Sequence, residues 1–345
     1  MRRREFNYAI AALAMARPTV AEDVAGGITD VQGIRIGHFT DSRRPTGCTV
    51  LIFDKSATAG VDVRGSAPGT RETDLLSPTN TVQQVQAILL SGGSAYGLDA
   101  ASGVVRYLEE RGLGVHVGSV TVPIVPAAVI YDLGVGDSKI RPTAESGYQA
   151  CKAATAGKVA EGNVGVGAGA TVGKIFGMKA AMKSGLGTAS IRLAGTGIVV
   201  SAIVAVNAVG DIVDPKTGKI IAGARKPDGS GFLDSMAQLR AGREVELPIG
   251  ANSTIGVVAT NVAFEKVQLT KIAQMAHDGF ARTINPVHTL ADGDTIFAVA
   301  TGAIRAKANH GAIGALAADV MAQAVLRAVR NARGLPGLPA WADLT

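Results

Sequence analysis

Hydrophobic and polar residues recur along this chain with two periods, and each change of period marks an element. Residues 27–38 alternate as an opening pair of strands with a glycine-containing turn. Residues 48–53 form a continuous apolar run expected as a buried strand, and residues 57–65 read as its hairpin partner. A loop follows through Pro68 and Arg71 to Pro78. Residues 82–90 are a short apolar segment that ends in Ser91-Gly92-Gly93-Ser94-Ala95-Tyr96-Gly97. The period then lengthens. Leu98, Ala101, Val104, Val105 and Leu108 recur at helical spacing over 98–110, and Gly112 is a suitable stop. A strand region spans 122–133, a helix 144–156, and a glycine-punctuated run 162–173 leads into Lys174. Residues 190–209 give β-type runs broken at Gly195 and Gly197, and 211–221 a hairpin with Pro215 and Gly218 in its turn. Residues 223–251 are the most linker-like stretch. The remaining expectations are a helix over 267–283, a strand over 294–300, and a helix over 312–330 whose basic residues fall near its end, where they complement the helix dipole.

Strands and helices come in clusters, without a strict βαβα alternation. That pattern predicts an α+β architecture with stacked sheets between helices, built as one structural domain. At 345 residues, 47% hydrophobic and only 18% charged, the chain has ample material for a large core. Its 44 glycines lie among Val, Ile and Ala runs, which implies close backbone approaches and not disorder.

The first residues carry a separate signal. Arg2-Arg3-Arg4-Glu5-Phe6, a short apolar run through Ala16 and a small-residue exit have the layout of an export signal over residues 1–21, of twin-arginine type. The run is too short to span a membrane. These 21 residues hold four Arg and one Glu, so +3 of the formal +6 belongs to them, and +3 remains for the rest. With so small an excess and no aromatic-interleaved basic patches, no nucleic-acid partner is expected. The expected location is the periplasm or the exterior. Cys48 and Cys151 are either a disulfide pair or two buried thiols, and spacing leaves both open.

Residues 250–261 bear the main candidate chemistry: Gly250-Ala251-Asn252-Ser253-Thr254 followed by an apolar β-type run. A serine at the mouth of a buried strand has its position fixed from one side, as a nucleophile requires. Cleavage between Asn252 and Ser253 would free an α-amine on Ser253. That amine titrates near neutrality and serves as a base for the hydroxyl beside it. The plain alternative is an Asn-Ser turn before a strand.

Other motifs are weaker. Gly169 to Lys174 fails as a phosphate loop, with Ala168 in place of the first Gly and Ile175 in place of the final Ser/Thr. Gly92-Gly93-Ser94-Ala95-Tyr96 approaches a nucleophile elbow but ends in Tyr96, leaving a Ser94–His288–Asp132 hydrolase as runner-up. The five histidines lie far apart in sequence, so neither a metal nor any other cofactor is expected. Asp292-Gly293-Asp294 is either an acidic turn or a carboxylate pair that orients an ammonium, and Lys174 is a candidate cation.

Taken in order, Thr46 to Val50, Leu90 to Leu98, Ala128 to Asp132, Gly165 to Lys174, Val206-Asn207, Asn252 to Ile255, and His288-Thr289 with Asp292 to Thr295 resemble the L-aminopeptidase/D-esterase family. That family includes the serine β-aminopeptidases and the nylon-oligomer hydrolases, and the resemblance covers about residues 27–330. It implies a four-layer αββα sandwich shared with ornithine acetyltransferases. It further implies self-cleavage into a large α chain (27–252) and a small β chain (253–345), and assembly as a homo-oligomer of processed pairs, by default a homotetramer. By position, Ser253 matches the nucleophile, Asn207 the side-chain donor to the oxyanion, and Lys174 the lysine beside the nucleophile. Tyr131 matches a hydroxyl in the substrate pocket, and Asp292 and Asp294 an acidic pair. Ser253 agrees with the aminopeptidases, whereas Lys174 and Asp-Gly-Asp agree with the nylon-oligomer branch. The implied activity is therefore hydrolysis of a small peptide or amide, most directly as an aminopeptidase. The alternatives are an ω-amino-acid oligomer hydrolase, an acyltransferase, or a silent binding protein.

Overall fold

A computed structural model describes residues 26–245, Gly250 and 252–344. The expected export signal lies outside the described residues. Nine strands form one mixed sheet: β1 (Ile34–Thr40), β2 (Gly47–Val63), β3 (Thr70–Arg71), β4 (Gln84–Ser91), β5 (Ala127–Val129), β6 (Leu186–Arg192), β7 (Val199–Ala205), β8 (Ile255–Val262) and β9 (Thr295–Ile304). Their order is β6-β7-β8-β9-β2-β4-β5-β3, with β1 also paired to β2. Most neighbours are antiparallel; β8/β9 and β4/β5 are parallel.

The hairpin expected across 48–65 is not there. Both runs belong to the single strand β2, whose register against β4 shifts between Ile52 and Ala57. The first part of β2 pairs with β1 and β4, and its last part with β9, from Thr58 to Val63. One bent strand thus joins two halves of the sheet by hydrogen bonds. The opening strand pair is also replaced, by a 3-10 turn at Ile28–Asp30 and β1 alone.

Five α-helices are described: α1 (Ala100–Glu109), α2 (Ala144–Lys152), α3 (Ser235–Arg240), α4 (Lys266–Thr283) and α5 (His310–Arg330). The apolar stripe of α1 buries Ala101, Val104 and Leu108, which join Ala150 of α2 and Val50 and Leu89 of the sheet. The stripe ends as expected at Gly112, in the left-handed region at φ +64°. On the other half, α4 and α5 pack Phe280, Ile272, Val325 and Met321 against Val200, Val258 and Ala298. Asn309 caps α5 by accepting from the N–H groups of Gly311 and Ala312. α5 is long and apolar enough to cross a membrane, but most of it is buried here against α4 and the sheet. A third cluster lies between the two halves, where Leu51, Ile88 and Leu90 meet Ile203, Ile255 and Phe297. The linker-like stretch contains α3. Cys48 and Cys151 are both buried and free, with burial holding each thiol above its ordinary range.

Candidate active site

Strand register assembles the site. Parallel pairing of Ile255 with Thr295 continues backward, so that Asn252 bridges Asp292 and Thr254 lies beside Asp294. Antiparallel pairing of Ala205 with Ile255 continues the other way, and the Ser253 N–H donates to the Asn207 carbonyl at 3.1 Å. Ser253 therefore enters β8 with Asn207 on one side and Gly293 on the other. The choice of glycine at 293 is steric. A Cβ there would fall 2.7 Å from Ser253 Oγ and 2.4 Å from the Ala67 carbonyl oxygen.

The Ser253 hydroxyl is almost completely buried and donates to the carbonyl of Asn252 at 2.5 Å. The same carbonyl accepts from the Gly293 N–H at 2.9 Å. The Asn252–Ser253 peptide thus has its oxygen held by a backbone donor and the candidate nucleophile folded against it. Donors aimed at a carbonyl oxygen stabilise the charge that develops there when its carbon is attacked.

Asn207 is fully buried and its amide orientation follows from its partners. Oδ1 accepts from Lys174 Nζ at 2.8 Å, from Thr171 N at 3.1 Å and from Thr171 Oγ1 at 3.3 Å. Nδ2 donates one hydrogen to the Tyr131 carbonyl at 3.0 Å, which leaves its second hydrogen for another acceptor. Tyr131 is half-buried and enters this network through its backbone, not its hydroxyl. Lys174 Nζ also donates to the Asn207 carbonyl at 3.1 Å, the atom that Ser253 N uses. The two nitrogens are thus separated by at most twice that distance. Lys174 is half-buried, and its ammonium is held by two Asn207 oxygens. Burial lowers its pKa to about 7, against the opposing pull of Asp292, Asp132 and Asp294.

The two carboxylates are buried and oppositely employed. Asp292 Oδ2 accepts from Thr289 N at 2.9 Å and Thr289 Oγ1 at 2.6 Å, while burial, and then Asp294, raise its pKa to about 6. Asp294 Oδ1 accepts from Thr254 N at 2.7 Å, and Oδ2 from His288 Nδ1 at 2.8 Å.

The Ser94–His288–Asp132 alternative is not assembled. Asp132 is enclosed by Arg44 at 2.7 Å, Thr46 Oγ1 at 2.6 Å and the Gly93 N–H at 2.9 Å, while His288 is spent on Asp294. Ser253, Asn207, Lys174, Asp292, Asp294 and the carbonyl of Tyr131 do come together. Thr171, Thr254 and Thr289 were not singled out by sequence reasoning. They lie inside the stretches that carry the family resemblance, but their roles run through backbone N–H groups and short hydroxyls, which residue identity does not reveal. Among the described residues, no group of three or more His, Cys, Asp or Glu side chains is placed to hold a metal ion.

The family model described as peptidase family S58 matches residues 26–340. The chain belongs to this family. An uncharacterised aminopeptidase of Mycobacterium bovis is 45% identical over 343 residues, covering 92% of this chain and 97% of its own length. A 6-aminohexanoate-oligomer endohydrolase of a Kocuria species is 32% identical, covering 87% and 85%. A β-aminopeptidase from a Burkholderia species superposes with a TM-score of 0.67 at 24% identity over 92% of each chain. The L-aminopeptidase D-Ala-esterase/amidase of Ochrobactrum anthropi, described as a variant of the Ntn-hydrolase fold, gives 0.66 at 20% identity, covering 91% and 89%. At these identities the two structures establish that the S58 chain shares their fold. Membership of the family makes it a peptidase or amidohydrolase.

Proposed function

We propose that this S58 protein is a self-processing serine amidohydrolase whose mature nucleophile is the N-terminal Ser253, and that it acts as an aminopeptidase on short peptides or amino-acid amides. The observation that carries the reading is the Asn252–Ser253 peptide, with Ser253 Oγ and the Gly293 N–H both on the Asn252 carbonyl oxygen. In self-cleavage, Oγ passes its proton to a base and bonds to the Asn252 carbonyl carbon. The carbon–nitrogen bond breaks, and the departing nitrogen takes a proton and becomes the Ser253 α-amine. Water then hydrolyses the Asn252 ester and restores the hydroxyl. Lys174, with its proton affinity reduced to about 7, is the nearby base before any α-amine exists. After cleavage its charge depresses the proton affinity of the new amine and makes that amine the better base. In turnover the same hydroxyl forms an acyl-enzyme, and the second Nδ2 hydrogen of Asn207 serves the substrate oxyanion.

Several expectations accompany this reading as proposals. The α and β chains are 27–252 and 253–345. The apolar cluster between the two sheet halves, with helices outside each half, supports a four-layer αββα arrangement. Export through the 1–21 signal and a homo-oligomer of processed pairs complete it, with no cofactor and no nucleic-acid partner. Lys174 and the Asp292–Asp294 pair favour a second reading of the substrate, as an ω-amino-acid oligomer. The test is Ser253→Ala followed by intact-mass analysis and a panel of aminoacyl p-nitroanilides and ω-amino oligomers. One uncut, inactive polypeptide is expected; two chains, or retained hydrolysis, defeat the assignment.

A further inference from the structure

The environment of Asp294 extends outward to a histidine that the proposed chemistry does not use. His288 occupies the left-handed region at φ +56°, a conformation that costs a non-glycine residue of order 1 kcal/mol and persists where the surroundings over-determine it. In that conformation its backbone N–H and its ring Nδ1 face the same Asp294 oxygen, at 3.3 and 2.8 Å. The other Asp294 oxygen takes the N–H of Thr254, the residue that follows Ser253. His288 is therefore linked to the nucleophile through one carboxylate and one peptide.

The ring is held from behind as well. His277 lies edge-to-face on it with centroids 4.8 Å apart, and Phe280 stands 6.3 Å away. His277 is itself fixed by its Nε2 contact with the Asp62 carbonyl at 3.1 Å. Because Asp294 accepts only, Nδ1 must be the protonated nitrogen, and this fixes the ring orientation.

We propose that His288 is a positioning residue. Its imidazole anchors Asp294, Asp294 anchors the start of β8, and Ser253 thereby keeps its alignment in both self-cleavage and turnover. The inference rests on Ser253 being the nucleophile. A small displacement of a reacting group is costly, so the effect falls on the chemical steps and not on substrate affinity.

Two substitutions in the full chain separate positioning from bulk. His288→Asn tolerates positive φ and carries an amide N–H that can donate to Asp294. His288→Leu keeps volume and removes the side-chain donor, leaving only the longer backbone N–H contact; should it not fold, His288→Gly, which accepts positive φ without strain, replaces it. The readouts are the time course of cleavage by intact mass, and kcat and KM on the aminoacyl p-nitroanilide that the unsubstituted protein turns over best. The variant without a donor is expected to lose about tenfold or more in cleavage rate and in kcat, with KM changed by less than about twofold. His288→Asn is expected to stay within about threefold of the unsubstituted protein in both rates. Cleavage and kcat at normal levels without the donor, or His288→Asn as impaired as the donor-free variant, overturns the proposal. Ser253→Ala in parallel keeps the two failures apart. If that variant is cut or active, the nucleophile is wrong; if it is uncut and inactive, failure of the His288 variants refutes positioning alone.

Discussion

Two lysines, nine positions apart, share one perturbation and differ in what they do with it. Burial brings both Lys174 and Lys183 down to about 7. Lys183 is completely enclosed and donates to the carbonyls of Gly167 at 3.0 Å, Ala170 at 3.1 Å and Ser184. Its amine ties together the glycine-rich run 165–169, Ala170 and Ser184. Lys174 instead donates to the backbone and side chain of Asn207, and Asp292 and Asp294 act on its charge. A shifted proton affinity alone does not distinguish structural from chemical roles. The partners do: three main-chain carbonyls consume every proton of Lys183, while Lys174 borders the nucleophile and the candidate oxyanion donor.

Substitutions should separate the two roles. The largest effect is expected from Asn207→Ala, which removes the side-chain partner of Lys174 and the free Nδ2 hydrogen while leaving the main-chain carbonyl: a loss of about 10²–10³ in kcat, read by steady-state kinetics on processed protein. Lys174→Met should follow, slowing cleavage and turnover by about 10²-fold, with thermal stability unchanged or higher because a desolvated charge is gone. Lys183→Met should show the reverse. The Ser184 carbonyl loses its ammonium donor while the Gly167 and Ala170 carbonyls keep one backbone donor each, so stability to denaturant should fall by about 1–3 kcal/mol, while kcat per folded molecule stays within about twofold. A Lys183→Met protein that is stable but inactive would erase the contrast.

A further contrast lies in the pH dependence of stability. A lysine lowered from 10.5 to about 7 binds fewer protons folded than unfolded across that window. Stability should therefore rise between about pH 7 and pH 10, by at most about 1.4 kcal/mol per pH unit for each lysine, and Lys183→Met should remove one lysine's share. Asp292 has the opposite sign. Raised from 3.8 to about 6, it binds more protons folded, so its contribution is present at low pH and is lost as the pH climbs through about 6. Asp292→Asn should flatten that fall in denaturant titrations between pH 4 and pH 6.

Much of the fold was legible because local patterns suffice for helices. The stripes at 98–110, 267–283 and 312–330 correspond to α1, α4 and α5, and the 211–221 hairpin is present as the strands Asp211–Val213 and Ile220–Ala222. Errors came where an apolar run has no period of its own. Residues 48–53 and 57–65 looked like two strands with a turn, yet they are one strand bent at a register shift. Within the candidate site, Ser253, Lys174 and the Asp pair were singled out from the residues themselves, and Asn207 only through the family resemblance. Thr171, Thr254, Thr289 and the anchoring contact of His288 were not.

The sequence by itself determined the inventory: two amphipathic layers' worth of helices, the apolar strands, a serine placed at the mouth of β8, and the S58 pattern. Tertiary structure alone decided that Asn207 and Gly293 flank Ser253 and that Asp294 faces both Thr254 and His288. Those neighbours are set by register between strands distant in the chain, and a slip of one residue would turn each side chain to the opposite face. Tertiary structure also decided which buried lysine is structural, since burial shifts both alike and only their hydrogen-bond partners differ.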